Sequence, residues 1–476
     1  MGKKLPIFLF IFILLYVIGS LICYPLLTKR HVLKQKEKYA EQAAKETVDR
    51  SASVRCLDDN TQALVYRLAL IESAQRELIM TTFDMSDGES GQDLMAAMLQ
   101  AADRGVRIRL MVDGINAWLK LEKSDLFGAF STHPNIEIRF YNPIRLTKLW
   151  KLNYRMHDKY LIADDTAYIL GGRNSNNLFL GAYRDTYNID RDLYVLERTE
   201  KNASDVMQKK ERNSLQDIKA YFEKIWVQPD QKIFRKKETE KTKEGLALLR
   251  EHYKELQTAY PEAFSETETL LTQDLIRVDS IRFLHNPLYA DEKVPVVYQR
   301  ICQEMEQGET ILIQTPYIIC DKGMYQDLSE LCRAGKQIEI ITNAVESGAN
   351  PWGCTDYLNE RKSILKTGAG VYACMAGQSL HTKTVLIDDE TSIVGSYNLD
   401  LRSTYLDTEL MLLVKSKELN KQLRDQAAAY QEKSAYEKAG KPSRTGSLYE
   451  KKEMSGMQKV IYSILRILIR PIREVL

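Results

Sequence analysis

From Leu5 to Leu27 the chain carries no charged residue. Wound as a helix at about 1.5 Å per residue, this stretch is roughly 34 Å long and able to cross the hydrocarbon core of a bilayer. Its apolar run exceeds the ~7 to 15 residues of a signal-peptide core, and no small-x-small cleavage site follows it, so an uncleaved anchor is expected. Leu21 and Ile22, which precede Cys23, also argue against a lipoprotein. Lys3 and Lys4 lie before the span and Lys29, Arg30, Lys34, Lys36 and Lys38 after it. The positive-inside bias therefore places the C-terminal body in the cytoplasm, joined to a single-pass anchor in the cell membrane.

After a charged stretch from Thr28 to about Arg50, expected to be a helical stalk, helical and strand periods alternate as in an α/β fold. A helix around Asp59 to Ser73 leads to the strand RELIMTTFDM, and the helix QDLMAAMLQAADRG closes at Gly105 before the strand VRIRLMVDG. The same order returns later: VPVVYQRICQEMEQG, TILIQTPYII, MYQDLSELCRAG closing at Gly335, and KQIEIITNA. Each unit then runs into a predicted strand hairpin, so the repeat covers whole lobes. Between them RKKETEKTKEG reads as a solvated linker, followed by a connecting helix in ALLREHYKELQTAY. The expected segments are anchor and stalk 1–50, first lobe 51–235, linker and connecting helix 236–275, second lobe 276–436, and a tether with a terminal helix 437–476.

That terminal segment, GMQKVIYSILRILIRPIREVL, spaces Lys459, Arg466, Arg470 and Arg473 by seven, four and three, on one helical face. Ile461, Ile464, Leu465, Leu468, Ile469 and Ile472 make the remainder apolar. A helix at the bilayer surface is expected, its cations on anionic headgroups.

Composition narrows the functional classes. The 476 residues hold 67 Lys and Arg against 65 Asp and Glu, which provides no basic field for a nucleic acid. Seven cysteines without a CxxC spacing suggest neither a disulfide framework nor a zinc site. No cofactor and no metal are expected.

The chemistry lies in a duplicated motif. MHDKYLIADDTAYILGGRN supplies His157, Lys159, Asp164 and Asn174, and LHTKTVLIDDETSIVGSYN supplies His381, Lys383, Asp388, Ser396 and Asn398 at identical offsets. In an extended segment the histidine and the lysine two residues on point to one side, and the hairpin at DDT or DDET returns the GGxN or GSxN end beside them. A phosphodiester gains negative charge as a nucleophile adds, and the two lysines, the two asparagines and Ser396 are suited to receive it. One imidazole can attack phosphorus while the other protonates the leaving oxygen.

The double HxK(x)4D(x)6G[GS]xN pattern resembles the phospholipase D superfamily over nearly all of the chain after the anchor. AADRGVRIRLMVDG, NYRMHDK, GGRN and GSYNLDLRSTYLDTEL make it most similar to bacterial cardiolipin synthases, especially their C branch. The resemblance implies a two-lobed α/β fold, each lobe a mixed sheet flanked by helices, with both motifs at the junction. It implies His157 as nucleophile forming a phosphohistidine and His381 as acid and base. Asp192 and Glu409 would orient the two imidazoles, while Asp164 and Asp388 would hold the hairpins and lysines. Asp407, Phe83 and Asp84 depart from the branch's pattern. The reaction implied is phosphatidyl transfer from phosphatidylglycerol or phosphatidylethanolamine to phosphatidylglycerol. A hydrolytic phospholipase D uses the same groups with water as acceptor, and a nuclease is disfavoured by the charge balance. The expected partners are phospholipid substrates, the membrane and an unidentified protein, without nucleic acid.

Overall fold

The computed structural model describes residues 5–33, 48–197, 212–289, 292–348 and 350–476. Most of the predicted stalk, residues 34–47, lies outside them.

Both repeat units form as their periods predict. In the first, the helix Asn60–Ser73 is capped by Asp59 and leads to the strand Glu77–Thr82; the helix Glu89–Asp103 then leads to Arg107–Asp113. In the second the elements are Val296–Gln307, Thr310–Gln314, Lys322–Arg333 and Gln337–Asn343. Gly105 and Gly335 close the second helix of each unit at φ +99° and +92°, a conformation that costs glycine nothing and a side-chain-bearing residue about 1–2 kcal/mol.

Each unit seeds a nine-stranded mixed sheet. The first runs Ile276–Arg277, Ser53–Leu57, Asp192–Leu196, Ala167–Gly171, Tyr160–Ala163, Glu77–Thr82, Arg107–Asp113, Ile136–Tyr141 and Lys232–Phe234. The second runs Ser280–His285, Leu410–Lys415, Thr391–Gly395, Thr384–Ile387, Thr310–Gln314, Gln337–Asn343, Gly370–Cys374, Ser434–Glu437 and Arg444–Thr445. From Ser53–Leu57 against Ser280–His285 onward, the two orders match strand for strand.

Alternation along the strands explains how the lobes meet. Leu78 and Met80 face the helices of their own lobe, whereas Ile79 faces a core shared with Leu312, Leu386 and Leu412 of the other sheet. Burying apolar surface at about 25 cal/mol per Å² makes that joint core the main force holding the lobes together. A buried polar link is added by Arg191. It donates to both oxygens of Asp58 (2.8 and 3.1 Å) and, across the junction, to Gln314 (2.9 Å), Thr384 (3.1 Å) and Gln426 (2.9 Å).

Three regions differ from the sequence reading. The supposed linker enters the helix Glu240–Ala259 at Glu240, capped by Thr239, because Gly245, Leu249, Tyr253 and Leu256 give it a face to bury against the first lobe. The tether after Glu437 contributes the edge strand Arg444–Thr445. The terminal helix Gly456–Leu468 turns Leu465 and Ile469 inward, while Arg466 donates to Asn359 (2.8 Å) and Arg473 to Asp356 (2.7 and 3.0 Å). Those two arginines are spent on the body, leaving Lys459 and Arg470 of the expected headgroup-facing set.

Because Arg191 is fully buried and pairs across both lobes, Arg191→Met is expected to cost about 3–5 kcal/mol and to lower the thermal midpoint in detergent. An unchanged midpoint would contradict the linking role.

Candidate active site

The segments that carry the histidines are extended and edge the interior ends of their hairpins. Gly171 N donates to Lys159 O (3.3 Å) and Gly395 N to Lys383 O (3.4 Å), so the GG and GS ends return beside the lysines as the spacing predicts. Asp164 and Asp388 sit at the hairpin turns in the left-handed region, at φ +51° and +48°. Asp164 accepts from the amides of Gln75, Arg76 and Glu77, and Asp388 from those of Glu309 and Thr310. Each aspartate thus holds its hairpin to the start of the neighbouring strand and does not reach the lysine of its motif.

The two motifs meet through reciprocal exchange. Met156 forms a parallel bridge with Thr408, and Leu380 pairs in parallel with Ile189. In both cases the residue before a histidine pairs with the residue before an acid of the other lobe. Nδ1 of His157 consequently lies 2.8 Å from Glu409, and Nδ1 of His381 lies 2.6 Å from Asp190. With each Nδ1–H donated to a carboxylate, each Nε2 keeps the lone pair a nucleophile or base requires.

The expected partner Asp192 is therefore replaced by Asp190. Asp192 lies two residues further on, at the start of the strand Asp192–Leu196, and is buried in ion pairs with Arg67 (2.8 Å) and Arg173 (3.3 Å). Period-two alternation puts both carboxylates of Asp-Arg-Asp on one side, so only the cross-lobe register distinguishes them. Ser396 also differs from expectation. Its hydroxyl donates to Glu409 and takes the Leu410 amide (3.0 Å), so it supports the carboxylate and not a phosphate. Ser403, which the sequence reading passed over, donates to the other oxygen of Glu409 (2.6 Å).

Further groups complete the site. Phe83 stands edge-on to His157 and Phe179 edge-on to His381, both with centroids 5.0 Å apart. The sequence signal for Phe179 is its place five residues after Asn174 in GGRNSNNLF. Lys159 donates to the carbonyl of His157 (2.5 Å), and Lys383 to Asp190 (3.2 Å). Asn174 and Asn398 each keep a buried amide oxygen with no protein partner. Turned about, such an amide presents its NH2 to a phosphoryl oxygen.

Burial and neighbouring charge set the protonation states. Burial, reinforced by Lys159, holds His157 well below the usual imidazole range. Burial and Lys383 bring His381 down to about 4, against the pull of Asp190. Burial alone would raise Asp190, but Lys383, His381 and Arg173 outweigh it and keep its carboxyl below the usual carboxylate range. Glu409 is pushed up to about 8 by burial against the pull of Lys159, and Lys159 is brought down to about 7 by burial. Burial therefore disfavours charge on the two imidazoles, on Lys159 and on Glu409, and an entering phosphodiester anion would supply a counter-charge that restores the cations.

The description "Cardiolipin synthase, PLD-like domain" matches residues 68–226 and 301–430. The chain belongs to this phospholipase D-like family of phosphatidyltransferases. It is 26% identical to "Cardiolipin synthase C" of Escherichia coli over 399 residues, 76% of this chain and 81% of that protein. It is 25% identical to "Major cardiolipin synthase ClsA" of Bacillus subtilis over 359 residues, 75% of this chain and 64% of that protein. The fold is similar to a phosphatidylserine synthase crystal structure from Haemophilus influenzae Rd KW20, at TM-score 0.62 and 17% identity, covering 93% of this chain and all of that one. Family membership accounts for the fold and the duplicated motif; the register of Asp190 and Glu409 is read from this chain's own geometry.

Two outcomes follow for this phospholipase D-like site. Asp190→Asn should lower turnover by roughly 10²- to 10⁴-fold through loss of the correct His381 tautomer, whereas Asp192→Asn should mainly lower the thermal midpoint; the reverse ranking would overturn the assignment. Lys159 loses its proton as pH rises through about 7, and a bound anion raises that value. Binding of a phosphodiester at pH 8 should therefore take up protons, measurable by calorimetry in buffers of different ionisation enthalpy; proton release would contradict the charge balance.

Proposed function

We propose that this protein is a membrane-bound phosphatidyltransferase that makes cardiolipin through a phosphohistidine on His157. The observation that carries the reading is the pair of imidazoles, each backed by a buried carboxylate of the opposite lobe.

Nε2 of His157 attacks the phosphorus of a donor phospholipid, phosphatidylglycerol or phosphatidylethanolamine. The bond from phosphorus to the headgroup oxygen breaks, and His381 gives that oxygen its proton. The alcohol leaves and phosphatidyl-His157 remains. A primary hydroxyl of phosphatidylglycerol then enters, His381 takes its proton, and the new alkoxide attacks phosphorus as the P–N bond breaks. The products are cardiolipin and the starting state of both histidines. Lys159, Lys383, Asn174 and Asn398 would receive the charge that develops on the phosphoryl oxygens.

The division of roles is supported by electrostatics. Asp190 stays ionised and gives His381 a full negative partner, which favours the imidazolium an acid needs. Burial and the neighbouring Lys159 hold His157 well below the usual imidazole range, as suits a group that must attack unprotonated. Burial holds both imidazoles below the usual imidazole range. The acid form of His381 is therefore supplied when the anionic donor enters and raises its affinity.

The apolar helix supports a membrane location, and the cations after the span support a cytoplasmic body. Expression of the full chain in cells that lack cardiolipin, with lipids analysed by mass spectrometry, tests the function. Cardiolipin is expected with the parent chain and absent with His157→Ala. Phosphatidic acid without cardiolipin would replace transfer by hydrolysis.

A further inference from the structure

The apolar helix touches the body directly along its second half. The hydroxyl of Tyr16 donates to Leu146 O (2.8 Å), and Asn153 donates to Leu21 O (2.8 Å). Tyr24 packs its ring against Trp150 and Tyr154. At the end of the span Lys29 is held between Asp321 (2.8 Å) and Glu474 (2.9 Å), over the ring of Tyr405. Tyr16 and Lys29 are roughly 20 Å apart along a helix at 1.5 Å per residue. The loop 143–153 is thus clamped alongside the second half of the apolar stretch and shares its depth.

That loop exposes Ile144 and Leu146, the latter 77% accessible, next to Arg145, Lys148 and Lys151, which gather on Asp230. The terminal helix Gly456–Leu468 shows the same inverted amphipathicity. Its outward face carries Met457, Val460, Ile461, Ile464, Ile467 and Leu468, which recur every helical turn and are 46–75% exposed. Its inward face makes the polar contacts of Arg466 and, just beyond, of Arg473. A helix against water turns its apolar stripe to the core; this one turns it away. The occupant is identified by continuity, because Lys29 joins the end of the bilayer-spanning candidate to Glu474 of the terminal segment.

We infer that the loop 143–153 and the outward stripe of the terminal helix form a second bilayer-contacting face beside the apolar helix, through which phospholipid reaches the two histidines from the membrane surface. Asn153 lies four residues before His157, and its carbonyl accepts from Arg402 (2.7 Å). Arg402 in turn holds Asp407, two residues before Glu409, and Val475 O. The loop of the contacting face therefore leads straight into the segment that carries His157, and Arg402 ties it both to the segment that carries Glu409 and to the end of the chain after the terminal helix. The entry route rests on the phospholipid reading above; the contacting face does not.

The test uses the full chain in nanodiscs of phosphatidylglycerol and phosphatidylethanolamine. A nitroxide at Ile464→Cys or Ile467→Cys, in a Cys23→Ser background, should be more accessible to oxygen than to a water-soluble nickel chelate; one at Glu453→Cys should show the reverse. Greater nickel access at Ile464 and Ile467 would overturn the contacting face. Combining Leu146→Glu with Ile464→Glu should lower turnover of long-chain phospholipid about tenfold and leave that of a monomeric short-chain phospholipid within about twofold. Equal loss on both substrates would overturn the entry route. A parent chain inactive on both lipids would sink the phosphatidyltransfer reading while the accessibility result stood.

Discussion

Each histidine of the site depends on a carboxylate that its own lobe does not supply. Glu409 holds His157 and Asp190 holds His381, and both contacts are set by parallel pairing of the residues immediately before them. A slip of one residue at either junction would turn a carboxylate from an imidazole into the core. Much of the remaining structure can be understood as protection of that register. The two sheets share an apolar core, and Arg191 crosses it to fasten Asp58 to the second lobe. Asp164 and Asp388 stay away from the chemistry and pin the hairpins.

The same exchange creates an electrostatic condition. Two imidazoles, two lysines and two carboxylates are gathered at the lobe junction, and burial weakens the charge of all of them except Asp190. A phosphodiester anion entering this arrangement would supply counter-charge to its cations. Asymmetry enters through the acids. Asp190 remains ionised among cations, whereas Glu409 is satisfied largely by the hydroxyls of Ser396 and Ser403. Two motifs with identical spacing are thereby given different acid–base character.

The identical offsets in the two motifs were enough to expect one shared site, and the helix–strand periods were enough to expect two matching lobes. Legibility ended where the outcome depended on register between distant strands. Asp190 and Asp192 present the same period-two signal, and only the pairing of Leu380 with Ile189 separates them. Ser396 looked like a phosphate donor because its motif position says nothing about Glu409 behind it. The charged run before the helix Glu240–Ala259 looked like a solvated linker because its few apolar positions show their use only when the first lobe lies beneath them. In the terminal helix the apolar and basic stripes were visible, but which stripe faces the body was fixed by Asn359 and Asp356, more than a hundred residues away.

The exchange itself is most directly tested by nitrogen-15 histidine spectra of the full chain in micelles, following the far-downfield Nδ1 protons that short bonds to carboxylates produce. One such signal should vanish in both His157→Ala and Glu409→Gln, and a second in both His381→Ala and Asp190→Asn. Loss of the His381 signal in Asp192→Asn, with its retention in Asp190→Asn, would contradict the cross-lobe register on which the site is built.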